Sequence, residues 1–153
     1  MQQSNIAHEL QPCELGFLST IQDDGSRNGM TRNAAPLILI VDDDESIREV
    51  LEDLLEMRDF QVLSACHGGE GVELCRQHSC AIGAVLLDVS MPGLSSGETL
   101  EQLRLIVPGL PVIIFSGYSE AETTVRLGER DWSGFLQKPF RIDELFTMLD
   151  RFL

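Results

Sequence analysis

Leu37-Ile38-Leu39-Ile40-Val41-Asp42-Asp43-Asp44-Glu45-Ser46 is a run of five aliphatic residues stopped by four acids. The apolar run is too short for a buried helix and rich in β-branched side chains, so it predicts a central strand covered on both faces. Such a strand needs helical neighbours, and the next segment supplies one. From Glu45 to Met57, Ile47, Val50, Leu51, Leu54 and Leu55 recur at i, i+3, i+4, i+7 and i+8, the period of one helix face. The alternation then continues down the chain. Further strands are expected at Gln61–Cys66, Ala84–Asp88, Pro111–Phe115 and Gly134–Gln137. Helices are expected at Gly69–Gln77, Glu98–Ile106, Ser119–Leu127 and Ile142–Phe152, the last with Ile142, Leu145, Phe146, Leu149 and Phe152 inward. Five βα units imply an α/β domain around a parallel sheet.

Outside this region the texture differs. Residues 1–36 carry no sustained period, are dominated by Gln, Ser, Asn, Asp and Gly, and have one apolar patch at Leu15-Gly16-Phe17-Leu18. They read as a flexible tail ahead of a domain at 37–153. A length of 153 residues suits one core. The formal net charge of −14 repels nucleic-acid phosphates and anionic lipid and favours cations and basic protein surfaces. No nucleic-acid partner and no membrane insertion are therefore expected; with neither a signal-peptide pattern nor an apolar run of spanning length, the cytoplasm is the expected address. The four cysteines (Cys13, Cys66, Cys75, Cys80) are expected as reduced thiols. Cys75-x-x-His78-x-Cys80 has some look of a metal site but lacks a second CxxC.

In open α/β sheets the site forms at the carboxyl ends of the strands. Those positions are polar throughout: Asp42, Asp43 and Asp44 after the first strand, Asp88 after the third, Ser116 after the fourth, Lys138 after the fifth. Carboxylates from two strand ends about 4 Å apart repel by roughly 1–4 kcal/mol, so the cluster needs a cation. Magnesium suits a set of carboxylates, a carbonyl, waters and a phosphoryl oxygen. Lys138 is the only lysine in the chain and sits between a strand and a proline. Its compact ammonium suits a single phosphoryl or carboxylate oxygen.

Together the segments LILIVDDDES, VLLDVSMPG, VIIFSGYSE and GFLQKPF resemble, in order, the motifs of the response regulator receiver domain of two-component signalling. The resemblance covers Leu37 to Leu153, and the intervals separating Asp43, Asp88, Ser116 and Lys138 fit that family. It implies a doubly wound, flavodoxin-like (CheY-like) sheet of five parallel strands in the order 2-1-3-4-5 with helices on both faces. It further implies Asp42, Asp43, Asp88 and the Ser90 backbone carbonyl as magnesium ligands, Asp88 as phosphoacceptor, Ser116 as switch hydroxyl, Lys138 as phosphate sensor and Phe135 as switch aromatic. The implied donor is a histidine kinase or an HPt-type protein. Output is implied through the face of helix 4, strand 5 and helix 5, by protein contact, since no second domain follows Leu153. GYSE and GFLQKPF look most like receivers attached to hybrid histidine kinases. The loop Pro92–Gly97 is read as one residue longer than the commonest family loop, and helix 4 as weakly patterned.

Other classes fit less well. Asp42-x-Asp44-x-Ser46 approximates the nucleophile motif of haloacid-dehalogenase-type phosphatases, but this leaves Asp88 unexplained and supplies no cap. A flavodoxin-like electron carrier needs a phosphate-cradling loop where Asp42 to Glu45 would repel phosphate. A receiver-like interaction module without phosphorylation would normally show a broken acid set, and this set is intact.

Overall fold

The computed structural model describes residues 35–91, 95–128 and 130–153. The tail expected at 1–36 lies, up to residue 34, outside the described residues, as do 92–94 of the long loop. The elements are β1 Leu37–Val41, α1 Glu45–Glu56, β2 Gln61–Ala65, α2 Gly68–Gln77, β3 Ile82–Asp88, α3 Ser96–Ile106, β4 Val112–Ser116, α4 Glu120–Leu127, β5 Gly134–Gln137 and α5 Ile142–Asp150. The five strands are all parallel and ordered β2-β1-β3-β4-β5.

Every residue of β1 is buried, as a strand with layers on both sides must be. Its alternation divides the core. Leu37, Leu39 and Val41 join Val85, Leu87, Val112 and Ile114 beneath Val72 and Cys75 of α2, Leu100 and Leu103 of α3 and Leu127 of α4. Ile38 and Ile40 join Ala84, Leu86, Ile113 and Phe115 beneath Leu51 and Leu55 of α1 and Leu145, Phe146 and Leu149 of α5. Each such leucine contributes roughly 1.5–3 kcal/mol by leaving water. The approach of α2 to β1 is close enough that a Cβ on Gly71 would stand 2.7 Å from Val41 Cγ2.

The helix faces differ from the periodicity at two positions. Val50 is 58% exposed and Ile142 52% exposed. With Leu51 and Leu55 at the centre of α1's buried stripe, Val50 falls on its flank; Ile142 occupies the first turn of α5, where the inward positions begin at Leu145. α3 begins at Ser96, two residues before the expected start. Ser95 and Glu98 close a reciprocal capping box there, and Ser119 and Glu122 do the same for the weakly patterned α4.

The expectation of reduced cysteines holds for Cys66 and Cys75 and fails for Cys80, which is disulfide-bonded. Cys75 is sealed in the core, Cys66 and Cys80 are both exposed, and Cys13 lies outside the described residues. Among the described residues no helix is long and apolar enough to cross a membrane.

Candidate functional site

The strand order reverses at β1, whose neighbours β2 and β3 follow it on opposite sides, so a crevice opens above the carboxyl ends of β1 and β3. Asp42 follows β1 and Asp88 ends β3; both are buried, at 1% and 3% exposure. Lys138, just past β5, reaches across β4 and donates from Nζ to Asp42 Oδ2 at 3.1 Å and to Asp88 Oδ1 at 3.0 Å. Its ammonium also lies 4.4 Å from the centre of the Phe115 ring. A cis peptide bond joins Lys138 to Pro139.

The second oxygen of each buried acid also accepts a hydrogen bond. Asp42 Oδ1 accepts from the Asp44 amide at 2.8 Å, and Asp88 Oδ2 accepts from the Ser90 amide at 3.0 Å. Two further contacts fix the backbone under them. Arg48 Nη1 donates to the Asp42 carbonyl at 2.8 Å, and Ser96 Oγ donates to the Asp88 carbonyl at 2.9 Å. Neither Arg48 nor Ser96 was singled out by the motif reading. Arg48 lies four residues, about one helical turn, after Asp44, but its type does not show that it reaches a main-chain carbonyl; Ser96 is the first residue of α3, two residues before the start that the apolar period marks.

Asp43 is exposed at the mouth. Carboxylate oxygens of Asp42, Asp43 and Asp88 lie within 4.8 Å of one another. The one ammonium bonds to two of the three carboxylates, which leaves excess negative charge in the cluster. Burial pushes the Asp42 carboxyl above its ordinary value, and the charge of Asp88 adds to this, while the Asp44 amide and Lys138 pull it back. An oxygen-only donor set with surplus negative charge fits a hard divalent cation of the magnesium class.

Ser116 is fully buried at the end of β4. Its Oγ accepts from the Tyr118 amide at 3.1 Å, and its carbonyl accepts from the Lys138 amide at 2.7 Å. Phe135 of β5 pairs with Ile114 and packs partly buried against the α2–α3 side of the core. The structure thus brings Asp42, Asp43, Asp88 and Lys138 into one cluster. Asp44 does not join it: its carboxylate caps α1, accepting from the Ser46 and Ile47 amides at 3.0 and 3.4 Å. That removes the second acid a DxDxS phosphatase would need in the site.

Comparison with known proteins agrees with this geometry. Residues 38–150 match the model of the response regulator receiver domain. The cell cycle transcriptional regulator CtrA of Caulobacter vibrioides is 30% identical over 112 residues, which is 73% of this chain and 48% of CtrA. The chain spans about half the length of the curated relatives it matches. A response regulator receiver domain protein from Clostridium thermocellum has a TM-score of 0.70 at 27% identity, covering 76% of this chain and 92% of that one. The receiver domain of the sensor histidine kinase PA1611 from Pseudomonas aeruginosa, solved with a magnesium ion in its active-site cleft, has a TM-score of 0.70 at 22% identity, covering 78% and 98%. The latter likeness bears on the fold alone. By the match over most of its length, and by the sheet and crevice just described, the chain belongs to the response regulator receiver family, the CheY-like domains of two-component signalling.

Proposed function

We propose that this receiver accepts a phosphoryl group on Asp88 from the phosphohistidine of a histidine kinase or HPt-type protein, and acts in the cytoplasm through protein contacts. An Asp88 carboxylate oxygen attacks phosphorus in line, the phosphorus–nitrogen bond of the donor breaks, and its electron pair returns to the imidazole. The product is an acyl phosphate. Lys138 holds one of the transferring oxygens. Asp42, Asp43, Asp88 and the Ser90 carbonyl would hold a magnesium ion, which when bound supplies neutralisation of the charge on the phosphoryl oxygens. The protein assists its own phosphorylation and the later hydrolysis of the acyl phosphate, with no substrate turned over.

The observation that carries this reading is the Lys138 ammonium spanning the two buried acids Asp42 and Asp88, with Asp43 alongside. A salt bridge serving stability alone would not gather a third acid and leave the cluster short of positive charge. Once phosphorylated, Asp88 presents new acceptor oxygens, for which the Ser116 hydroxyl exchanges its Tyr118 contact. Phe135 then takes the space Ser116 leaves, altering the face of α4, β5 and α5. A cleft of about 640 Å³ on that side, lined by Phe135, Lys138, Thr147 and Met148 among others, supports an output surface there.

Intact mass after incubation with acetyl phosphate or a phosphorylated HPt domain, with and without magnesium, tests the proposal. The expected result is a gain of one phosphoryl group that needs magnesium and is absent in Asp88→Asn. No gain from any donor would leave a receiver fold acting as an unmodified interaction module.

A further inference from the structure

A second cluster of metal-ligating side chains lies outside the acidic crevice, where β2 gives way to α2. Cys66 and His67 follow β2 directly and Glu70 lies in the first turn of α2. One ligand atom from each, sulfur, nitrogen and oxygen, lies within 4.8 Å of the other two. The local backbone produces this convergence. His67 is the extended N-cap of α2, and its Nδ1 accepts from the Glu70 amide at 3.1 Å. Glu70 reaches back, and its Oε2 accepts from the Cys66 amide at 2.7 Å. The cap therefore holds thiol, imidazole and carboxylate within 4.8 Å of one another before any ligand arrives. Cys66 and His67 are exposed and Glu70 half-buried, so a cation can reach them from solvent.

We propose that Cys66, His67 and Glu70 form a binding site for a divalent cation of the zinc class, with thiolate, imidazole and carboxylate as three ligands and water as the fourth. The donor set selects the metal. A thiolate and an imidazole favour borderline-soft zinc over magnesium or calcium, whereas the Asp42–Asp43–Asp88 cluster offers oxygen alone. The two sites thus take different ions from one solution. On binding, the thiol proton passes to solvent, and the His67 lone pair that now accepts the Glu70 amide turns to the metal, so one cap hydrogen bond is exchanged for metal coordination. Three protein ligands leave one position open. Cys75-x-x-His78-x-Cys80, the more obvious pattern in the sequence, does not form a site: Cys75 is buried in the core and Cys80 is in a disulfide.

Cobalt(II), a spectroscopic stand-in for zinc, tests this in the full chain with excess magnesium present and no added thiol. The expected result is one equivalent of tetrahedral cobalt with a thiolate-to-cobalt charge-transfer band, bleached by zinc and absent in Cys66→Ser. Glu70→Gln and His67→Gln are expected to weaken binding by at least the roughly tenfold that loss of a supporting partner costs at such sites. Zinc is also expected to protect Cys66 of the unmutated chain from alkylation, as read by peptide mass, which needs no variant to fold. Absence of the band in the wild type, its persistence in Cys66→Ser, or alkylation of Cys66 at the same rate with and without zinc would each overturn the proposal.

Discussion

Replacing Asp43 with asparagine separates the electrostatic account of the crevice from a purely structural one. Asp43 is exposed, while Asp42 and Asp88 are buried and bound to Lys138, so Asp43→Asn removes charge with little change of packing. At the crevice mouth, Asp43 faces two carboxylates and one ammonium, a net of one negative charge. One unit charge acting on another over the 4.8 Å that bounds the cluster is worth about 0.9 kcal/mol at the dielectric of water and about 3.5 kcal/mol at an effective value of 20. The exposure of Asp43 favours the lower figure. Metal-free Asp43→Asn is therefore expected to be more stable than wild type by about 1 kcal/mol, or roughly 4 °C in melting temperature for a domain of this size. Magnesium should reverse the order, because the wild type has the greater charge to neutralise and the additional ligand. Thermal melts of both proteins in EDTA and in a magnesium series make the measurement. If the variant melts at or below the wild type in EDTA, or if magnesium raises both melting temperatures equally, the argument that surplus charge defines this crevice is wrong.

Other outcomes follow from the same contacts. Lys138→Met removes the ammonium bonded to both buried carboxylates and is expected to cost about 3 kcal/mol in EDTA, read from urea midpoints, with much of the loss recovered in magnesium. The raised Asp42 carboxyl means that the folded metal-free protein binds a proton there more tightly than the unfolded chain does. Asp42 thus lowers stability at neutral pH, and this penalty is relieved as pH falls through its folded value toward the ordinary 3.8. Melts across that window should show an acid-side gain in wild type relative to Asp42→Asn. Gly71→Ala forces a methyl group to within 2.7 Å of Val41 Cγ2 and is expected to destabilise by about 1–3 kcal/mol, measured by urea denaturation.

The strand ends were legible because three of them are an abrupt change of chemistry in sequence, with apolar residues giving way at once to Asp42, Asp88 and Ser116, and Lys138 follows one residue after the apolar part of β5. Edges set by three-dimensional context were less so. β3 starts at Ile82, before the expected Ala84, because pairing with β1 extends the strand through Gly83, a residue of poor strand preference. The entrance of α3 did have a local signal, Ser95-x-x-Glu98, which the apolar period alone passes over. Val50 and Ile142 satisfy the helical period yet face solvent, since period fixes a face but not how far the covering layer extends. Within the site, the acids and the lysine could be read from type and position. Arg48 and Ser96 act on main-chain carbonyls, a contact that leaves no compositional trace.

The hydrogen bond from the Lys138 amide to the Ser116 carbonyl ties the end of β4 to the residue whose ammonium binds both buried acids. Shifting the end of β4 would drag Lys138 away from both acids, whereas turning the Ser116 side chain about its own bond gives up only the contact with the Tyr118 amide. One such hydrogen bond is worth about 1 kcal/mol, so the turned rotamer is populated at roughly 18% of the resting one. Under the proposed function, the turned hydroxyl is thus sampled before any donor arrives, and a phosphoryl group on Asp88 would have only to retain a rotamer already visited.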